Sequence, residues 1–391
     1  MQRGLGRGAY KALHDPAGPD EVLRCLRRDY RWYWMVDDRA VYLARLVRDL
    51  AVPVPLLVDV VNEDDDHDNA FGNVLDVLEA LGRAGDAAAV DGLRRYVGQG
   101  PRWVDVLQTI ACAWPVELWD DLLPTARARL PHDAQDRDLL WNGEPWRRWA
   151  TSDERIAAEV AADSPRPLHR PYANDPAAAL LTLVRTGDAD RQRAALRELN
   201  RRGPAPEVLA LLADLPLERV AGDAGHALDL LGTRALPLAR QWAAVPGHPM
   251  FWRAHLLLAA HGDESDVPAL LAGWEWLDSR EEDLCGYDAL AAGLARIGGP
   301  AAPAVVRPLR RAWFSPHSYE RAAYLRALLE LDPDSTDRLL TEGLWDCESD
   351  VRLIAAGLVP LDPLIERRLR EMSADPLETP EVRAAAAARA G

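Results

Sequence analysis

Residues 77–97 read VLEALGRAGDAAAVDGLRRYV, and residues 254–274 read AHLLLAAHGDESDVPALLAGW. Laid over one another at a shift of 177, Gly85-Asp86 falls on Gly262-Asp263, Val90 on Val267 and Leu93 on Leu270. On either side of the Gly-Asp pair, apolar residues recur at three- and four-residue steps, the pattern of two amphipathic helices joined by a tight turn. The glycine is expected to end the first helix, because a left-handed backbone is adopted easily only without a Cβ. The aspartate is expected to cap the second. An αα-hairpin results.

The same turn recurs at Gly187-Asp188, with variants at Gly298-Gly299-Pro300 and Leu331-Asp332-Pro333. Successive markers are 102, 75, 36 and 33 residues apart. Those spacings are near three, two, one and one copies of a unit of about 34–37 residues, the size of a two-helix repeat. Elsewhere the signal is also helical. Asp37-Asp38 followed by Val41, Leu43, Leu46, Val47 and Leu50 reads as a cap and an apolar stripe, and Leu325, Leu328, Leu329 and Leu331 repeat it. Period-two runs long enough for strands are missing from the sequence.

A second marker opens helices: Asp350-Val351-Arg352 runs into Ala355-Ala356, and Glu381-Val382-Arg383 into Ala385-Ala386. Weaker echoes start at Gln192, Trp252 and Glu320. This opening resembles the HEAT-like repeats of the phycobilisome lyase group. The resemblance implies an all-α fold, a right-handed α-solenoid of HEAT-like two-helix repeats. It also implies that the small residues admit close helix neighbours and that the arginine joins a ladder between repeats. It covers residues 175–391 and, more weakly, 70–130, whereas 1–65 and 131–174 depart from the pattern. Four prolines within 163–176 cannot continue a helix. The expected organisation is therefore an irregular N-terminal array at 1–162, a connecting loop at 163–176 and a HEAT-like array at 177–391.

Composition narrows the function classes. Of 391 residues, 48% are hydrophobic, enough for a core. No apolar run reaches the roughly 18 residues of a membrane span, and the first residues do not read as a secretory signal, so a cytoplasmic protein without membrane contact is expected. Cys25, Cys112, Cys285 and Cys347 form no CxxC pair, which fits buried reduced thiols and neither a disulfide framework nor a zinc site. A net charge of −16 disfavours a nucleic-acid partner. The charge is uneven: residues 1–50 carry 10 basic against 7 acidic groups, and residues 251–300 carry 3 against 9.

Catalytic and metal templates fail one by one. The only lysine is Lys11, preceded by Tyr10, so no phosphate-binding GxxxxGK loop exists. The acidic run from Glu63 to Asn69 mimics a calcium loop from Asp64, but its twelfth position is Leu75 where a bidentate Glu is needed. There is no HExxH and no GxSxG. Gly4, Gly6 and Gly8 brush the dinucleotide fingerprint without a preceding strand and read as a flexible terminus. Neighbouring carboxylates such as Asp120-Asp121 and Glu281-Glu282-Asp283 point to different sides of a helix. No cofactor, metal or catalytic residue is expected.

Tryptophan is the unusual residue, 14 against three Phe. Trp32 and Trp34, beside Tyr30 and Tyr33, follow Arg24, Arg27 and Arg28; Trp141, Trp146 and Trp149 interleave with Arg147 and Arg148. Such clusters are either inter-helix packing or an aromatic-arginine surface of the kind enriched at binding hot spots. Two functions follow. One is a non-enzymatic scaffold holding a protein or peptide partner on a concave face. The other rests on resemblance to HEAT-like alkylpurine DNA glycosylases, which use Trp residues and an Asp near the damaged base; Trp119-Asp120 and Trp149 offer the raw material, and the net charge opposes it. The Ala-rich tail, residues 384–390, leaves self-association and the oligomeric state open.

Overall fold

The computed structural model describes residues 1–28, 39–63, 69–130, 141–163, 170–280, 285–300 and 302–390. Tyr30, Trp32, Tyr33, Trp34, Asp37, Asp38, the acidic residues 64–68, Pro165, Pro167 and the carboxylates Glu281, Glu282 and Asp283 lie outside the described residues. The fold is all-α, and no strand occurs among the described residues. No helix among them is long and apolar enough to cross a membrane.

The chain divides into two compact units. Unit 1 comprises residues 1–166, 316–319 and 337–391, and unit 2 comprises 167–315 and 320–336. The break near 166–167 lies in the proline-rich stretch. At the other end the division differs from the sequence expectation, because residues 337–391 fall in the same unit as 1–166.

In unit 2, helices Ala189–Arg202, Ala221–Leu231, Phe251–His261, Tyr287–Ile297 and Arg321–Leu331 pack each on the next. Helices Ala177–Thr186, Val208–Leu212, Leu236–Ala243, Val267–Asp278 and Val306–Ala312 each lie against the helix that follows them. Leu196, Leu228, Leu258, Leu294 and Leu325, one from each helix of the first row, are completely buried. Each such leucine contributes about 2 kcal/mol of apolar burial. No single helix could bury that stripe alone.

The hairpin turns explain the Gly-Asp marker, in part differently from the sequence reading. Asp86, Asp188 and Asp263 all cap the following helix by accepting backbone N–H groups, from Ala89, Arg191 and Ser265 respectively. Gly85 is left-handed with φ +97°, as the cap argument requires. Gly187 and Gly262 are not: their φ values are −73° and −69°, which any residue adopts. At Gly262 the reason for glycine is space, since a Cβ would lie 2.5 Å from the Leu258 carbonyl oxygen and 2.5 Å from an Asp266 oxygen. The chain turns too tightly over the helix end for a methyl group.

Unit 1 has two similar rows, Ala40–Asp49, Ala70–Arg83 and Trp103–Ala113, and Val54–Val61, Ala87–Gln99 and Leu123–Arg129. Helices Asp337–Gly343, Ser349–Leu358, Pro363–Ala374 and Pro380–Ala390 belong to the same unit. The glycine-rich start is not a loose terminus. Residues Gly6–Leu13 form a helix on Asp337–Gly343, the Cys347 N–H donates to the Gly4 carbonyl at 2.9 Å, and a Cβ on Gly6 would collide with the Glu342 carbonyl. Of the four thiols, Cys25 and Cys347 are buried whereas Cys112 and Cys285 are exposed, and none is in a disulfide. The expectation of four buried thiols therefore holds for two.

Arginine-carboxylate pairs recur at a separation of 26 or 27 residues along the chain. Arg94 binds Asp121, Arg197 binds Asp223, Arg240 binds Asp266 and Arg352 binds Glu378. Arg352 is the one that opens a marker helix, and it is the most committed. Its Nε and Nη2 donate to Glu378 at 2.9 and 3.0 Å, and its Nη1 donates to the Asp346 and Cys347 carbonyls.

Candidate functional site

A cavity in unit 2 lies between helices Leu236–Ala243, Phe251–His261 and Val267–Asp278. It measures about 730 Å3. Its lining is mainly apolar: Ala269, Ala272 and the half-buried Trp276 lie over the buried Phe251 and Leu258. Trp276 leans on Phe251 with ring centres 5.2 Å apart and stacks on Trp252 at 5.7 Å, so its ring is braced rather than free. The Arg280 guanidinium sits 4.8 Å from the same ring.

Two polar features border this groove. Arg240 donates to Asp266 at 2.8 Å and to Asp263 at 2.9 Å, so its charge is already matched. The hydrogen bond from Arg240 holds the Asp266 carboxyl below its ordinary range. At Asp263 the hydrogen bonds from Ser265 lower the carboxyl first, with Arg240 adding to them. Glu275, by contrast, is exposed and makes no ion pair among the described residues. The groove thus presents a greasy floor and an unmatched negative charge. Behind it, His255 is fully buried, its Nδ1 donating to the Phe251 carbonyl at 2.8 Å, and burial lowers its pKa. That histidine is a neutral part of the packing, pressed close to Gly273.

Arg24, Arg27 and Arg28 are exposed; Arg24 pairs with Glu21, and Arg27 forms a two-pronged pair with Glu63 at 2.9 Å for both bonds. Trp32 and Trp34 lie outside the described residues. Trp141, Trp146 and Trp149 come together in unit 1, but as packing. Trp146 is completely buried, 5.0 Å from Trp141, 5.7 Å from Trp149 and 6.5 Å from Trp103, ring centre to ring centre. Arg147 and Arg148 stay at the surface of the short helix Trp146–Trp149.

The structure also gathers Trp119, Asp120 and Trp149. Trp149 Nε1 donates to Asp120 Oδ1 at 3.0 Å, and Arg148 Nε donates to the same oxygen at 2.8 Å. These bonds, that from Arg148 foremost, hold the Asp120 carboxyl below its ordinary range. Trp119 and Trp149 are only 3% and 2% exposed, so neither ring has an open face on which a nucleobase could stack. Among the described residues, no group of three or more His, Cys, Asp and Glu could hold a metal ion.

Compared with protein-family models, curated proteins and solved structures, the chain matches none.

A further titratable cluster lies at the far end of unit 2. Glu320, 1% exposed, accepts the Gly286 N–H at 2.6 Å and the Tyr324 hydroxyl. Burial raises its pKa to about 7. Burial and the neighbouring Glu320 carboxylate raise the Tyr324 hydroxyl as well.

The groove was missed from the sequence although a signal was present. Trp274 and Trp276 are two apart on one helix, roughly 200° around its axis, so only one of them can face the core. Trp274 is the buried one. The other forms the groove wall.

Proposed function

We propose that this chain is a non-enzymatic, right-handed α-solenoid of HEAT-like repeats that acts as a scaffold, binding a peptide segment of a protein partner in the 236–278 groove of unit 2. The observation that carries the reading is the groove itself: a cavity of about 730 Å3, faced by the half-buried Trp276, backed by the buried Phe251 and Leu258, and edged by the unmatched Glu275. A solenoid reading is supported by the two-row order of helices in each unit and by the recurring arginine-carboxylate pairs. The partner segment is an extended or helical stretch with an aromatic or aliphatic anchor for the floor and a Lys or Arg for Glu275. Residues 251–300, with 9 acidic against 3 basic groups, add a field that favours such a basic segment.

Selection from a random peptide library tests the reading. Enriched peptides are expected to pair an aromatic or aliphatic residue with a basic one, and to lose binding at least tenfold on Trp276→Ala or Glu275→Arg, about 1.4 kcal/mol or more. Enrichment of acidic peptides, or retention by the doubly substituted chain, would overturn it.

A further inference from the structure

Unit 1 holds a second, chemically different cavity of about 370 Å3, where helix Gly6–Leu13 meets the end of helix Ala40–Asp49 and helix Pro363–Ala374. One wall is aromatic. Tyr10 and Trp345 meet edge to face with centres 5.5 Å apart, and the His14 ring lies 4.5 Å from Tyr10. The His14 Nδ1 donates to the Tyr10 carbonyl at 2.7 Å, which leaves Nε2 for a ligand. The other wall carries three guanidinium groups, Arg48, Arg367 and Arg368.

These three are not equally engaged. Arg48 is held by Asp49 and Asp375. Arg368 is 5% exposed, with its guanidinium carbon 5.0 Å from the Trp345 ring centre. It donates once, to the Leu344 carbonyl at 3.2 Å, its Nε has no partner, and its nearest carboxylate, Glu371, stands 3.6 Å away. A buried cation with so few hydrogen bonds is expensive, and an anion brought within reach would complete it. Arg367 is exposed and makes no ion pair among the described residues. Against the three arginines stand Asp49 and Glu371, so the lining is net positive in a chain whose total charge is −16.

Guanidinium groups recognise oxyanions through paired hydrogen bonds and also stack on flat rings. An aromatic wall opposite them accepts a planar ring through its face or edge. The volume falls in the range of small-ligand sites, about 300–1,000 Å3. We infer that this cavity binds a small ligand with the chemistry of a mononucleotide, a planar ring that carries an oxyanion. The ring lies against Tyr10 and Trp345, and the oxyanion meets Arg367 and Arg368 in place of Glu371. The site is separate from the unit 2 groove and does not depend on it.

Calorimetric titration of the full chain at low salt decides the matter, with adenosine 5′-monophosphate as the probe. Adenosine supplies the ring without the anion, and inorganic phosphate supplies the anion without the ring. The monophosphate is expected to bind at least about tenfold more tightly than either. Arg367→Glu, a surface change that leaves the packing intact, should weaken it at least tenfold, and Arg147→Ala, an exposed arginine elsewhere in unit 1, should leave it unchanged. No heat with the monophosphate at millimolar concentration, phosphate binding as tightly as the monophosphate, or an Arg367→Glu variant that binds normally would each overturn the inference.

Discussion

Arg45 Nε lies 2.9 Å from Asp375 Oδ2, a bond that spans 330 positions of sequence. The same guanidinium reaches Glu378 at 2.8 Å, and Glu378 in turn receives Arg352 at 2.9 Å. Arg45, Asp375, Glu378 and Arg352 are all at least nine-tenths buried, so the cluster fastens the N-terminal and C-terminal segments of unit 1 from the inside. Burial, with the nearby Arg352 charge adding to it, pushes the Arg45 guanidinium down to about 10, yet it stays charged at neutral pH.

Glu378→Ala leaves the buried Arg352 with only the Asp346 and Cys347 carbonyls, and Arg45 with an Asp375 that Arg48 also holds. Removing one partner of a buried ion cluster costs about 3–5 kcal/mol. The midpoint of urea unfolding, followed by tryptophan fluorescence, should fall accordingly. An unchanged midpoint would mean that the cluster contributes no net stability.

Burial by itself would raise Asp375, but the Arg48 hydrogen bonds and the Arg45 charge overcome that and hold it at about 2, below its ordinary 3.8. A carboxyl depressed in the folded state stabilises fully above its unfolded pKa and loses that stabilisation as pH falls through the folded one. Unit 1 should therefore weaken between about pH 4 and pH 2. The Asp375→Asn chain, already weakened at neutral pH, should show a flatter acid limb, and an identical limb in both chains would discount the group.

Glu320 titrates in the opposite sense. Its folded pKa is raised to about 7 from 4.5, so the folded state holds a proton that the unfolded chain has released across that interval. Stability should fall as pH rises from about 4.5 to 7, by a total on the order of 3 kcal/mol. Glu320→Gln keeps the acceptor for Gly286 and should remove most of this slope. A pH profile for unit 2 that is the same with and without the substitution would rule the effect out.

Two glycines of the same marker should respond differently. Gly262→Asn forces a Cβ against the Leu258 carbonyl and should cost about 1–3 kcal/mol of thermal stability. Gly85 has φ +97° with open space around it, a conformation that asparagine tolerates better than other side chains, so Gly85→Asn should cost less than about 1 kcal/mol. Equal losses in calorimetry would show that lack of space at Gly262 does not set its cost.

Trp146→Ala should cost about 3–5 kcal/mol, because it empties the centre of a buried aromatic cluster. Its exposed neighbour in Arg147→Ala should change stability by less than about 0.5 kcal/mol. The contrast, read from denaturant midpoints, separates packing from surface within two adjacent residues.

What the sequence made legible is what local rules control. Helices, their apolar stripes and the aspartate caps at residues 86, 188 and 263 depend on neighbours within a few positions, and a single chain carries that information in order. The tryptophan clusters were ambiguous for the same reason. A Trp-Arg-Arg-Trp run at 146–149 alternates inside and outside at helical spacing, and spacing alone does not say which side meets solvent. The cavity around Tyr10 and Trp345, and the Arg45–Asp375 bond, have no local signature. They arise when segments more than 300 residues apart meet, and no periodicity records such a meeting.

That distant bond also sets a timetable. A ribosome adding about 5–20 residues per second needs roughly 15–65 seconds to go from Arg45 to its carboxylate partners. Throughout that interval the newborn chain carries a guanidinium whose destined counter-ion has not been made. The opening helices must wait, shielded or loosely assembled, until the closing ones emerge, so chaperone protection of the nascent chain should matter more here than in a fold completed by its neighbours.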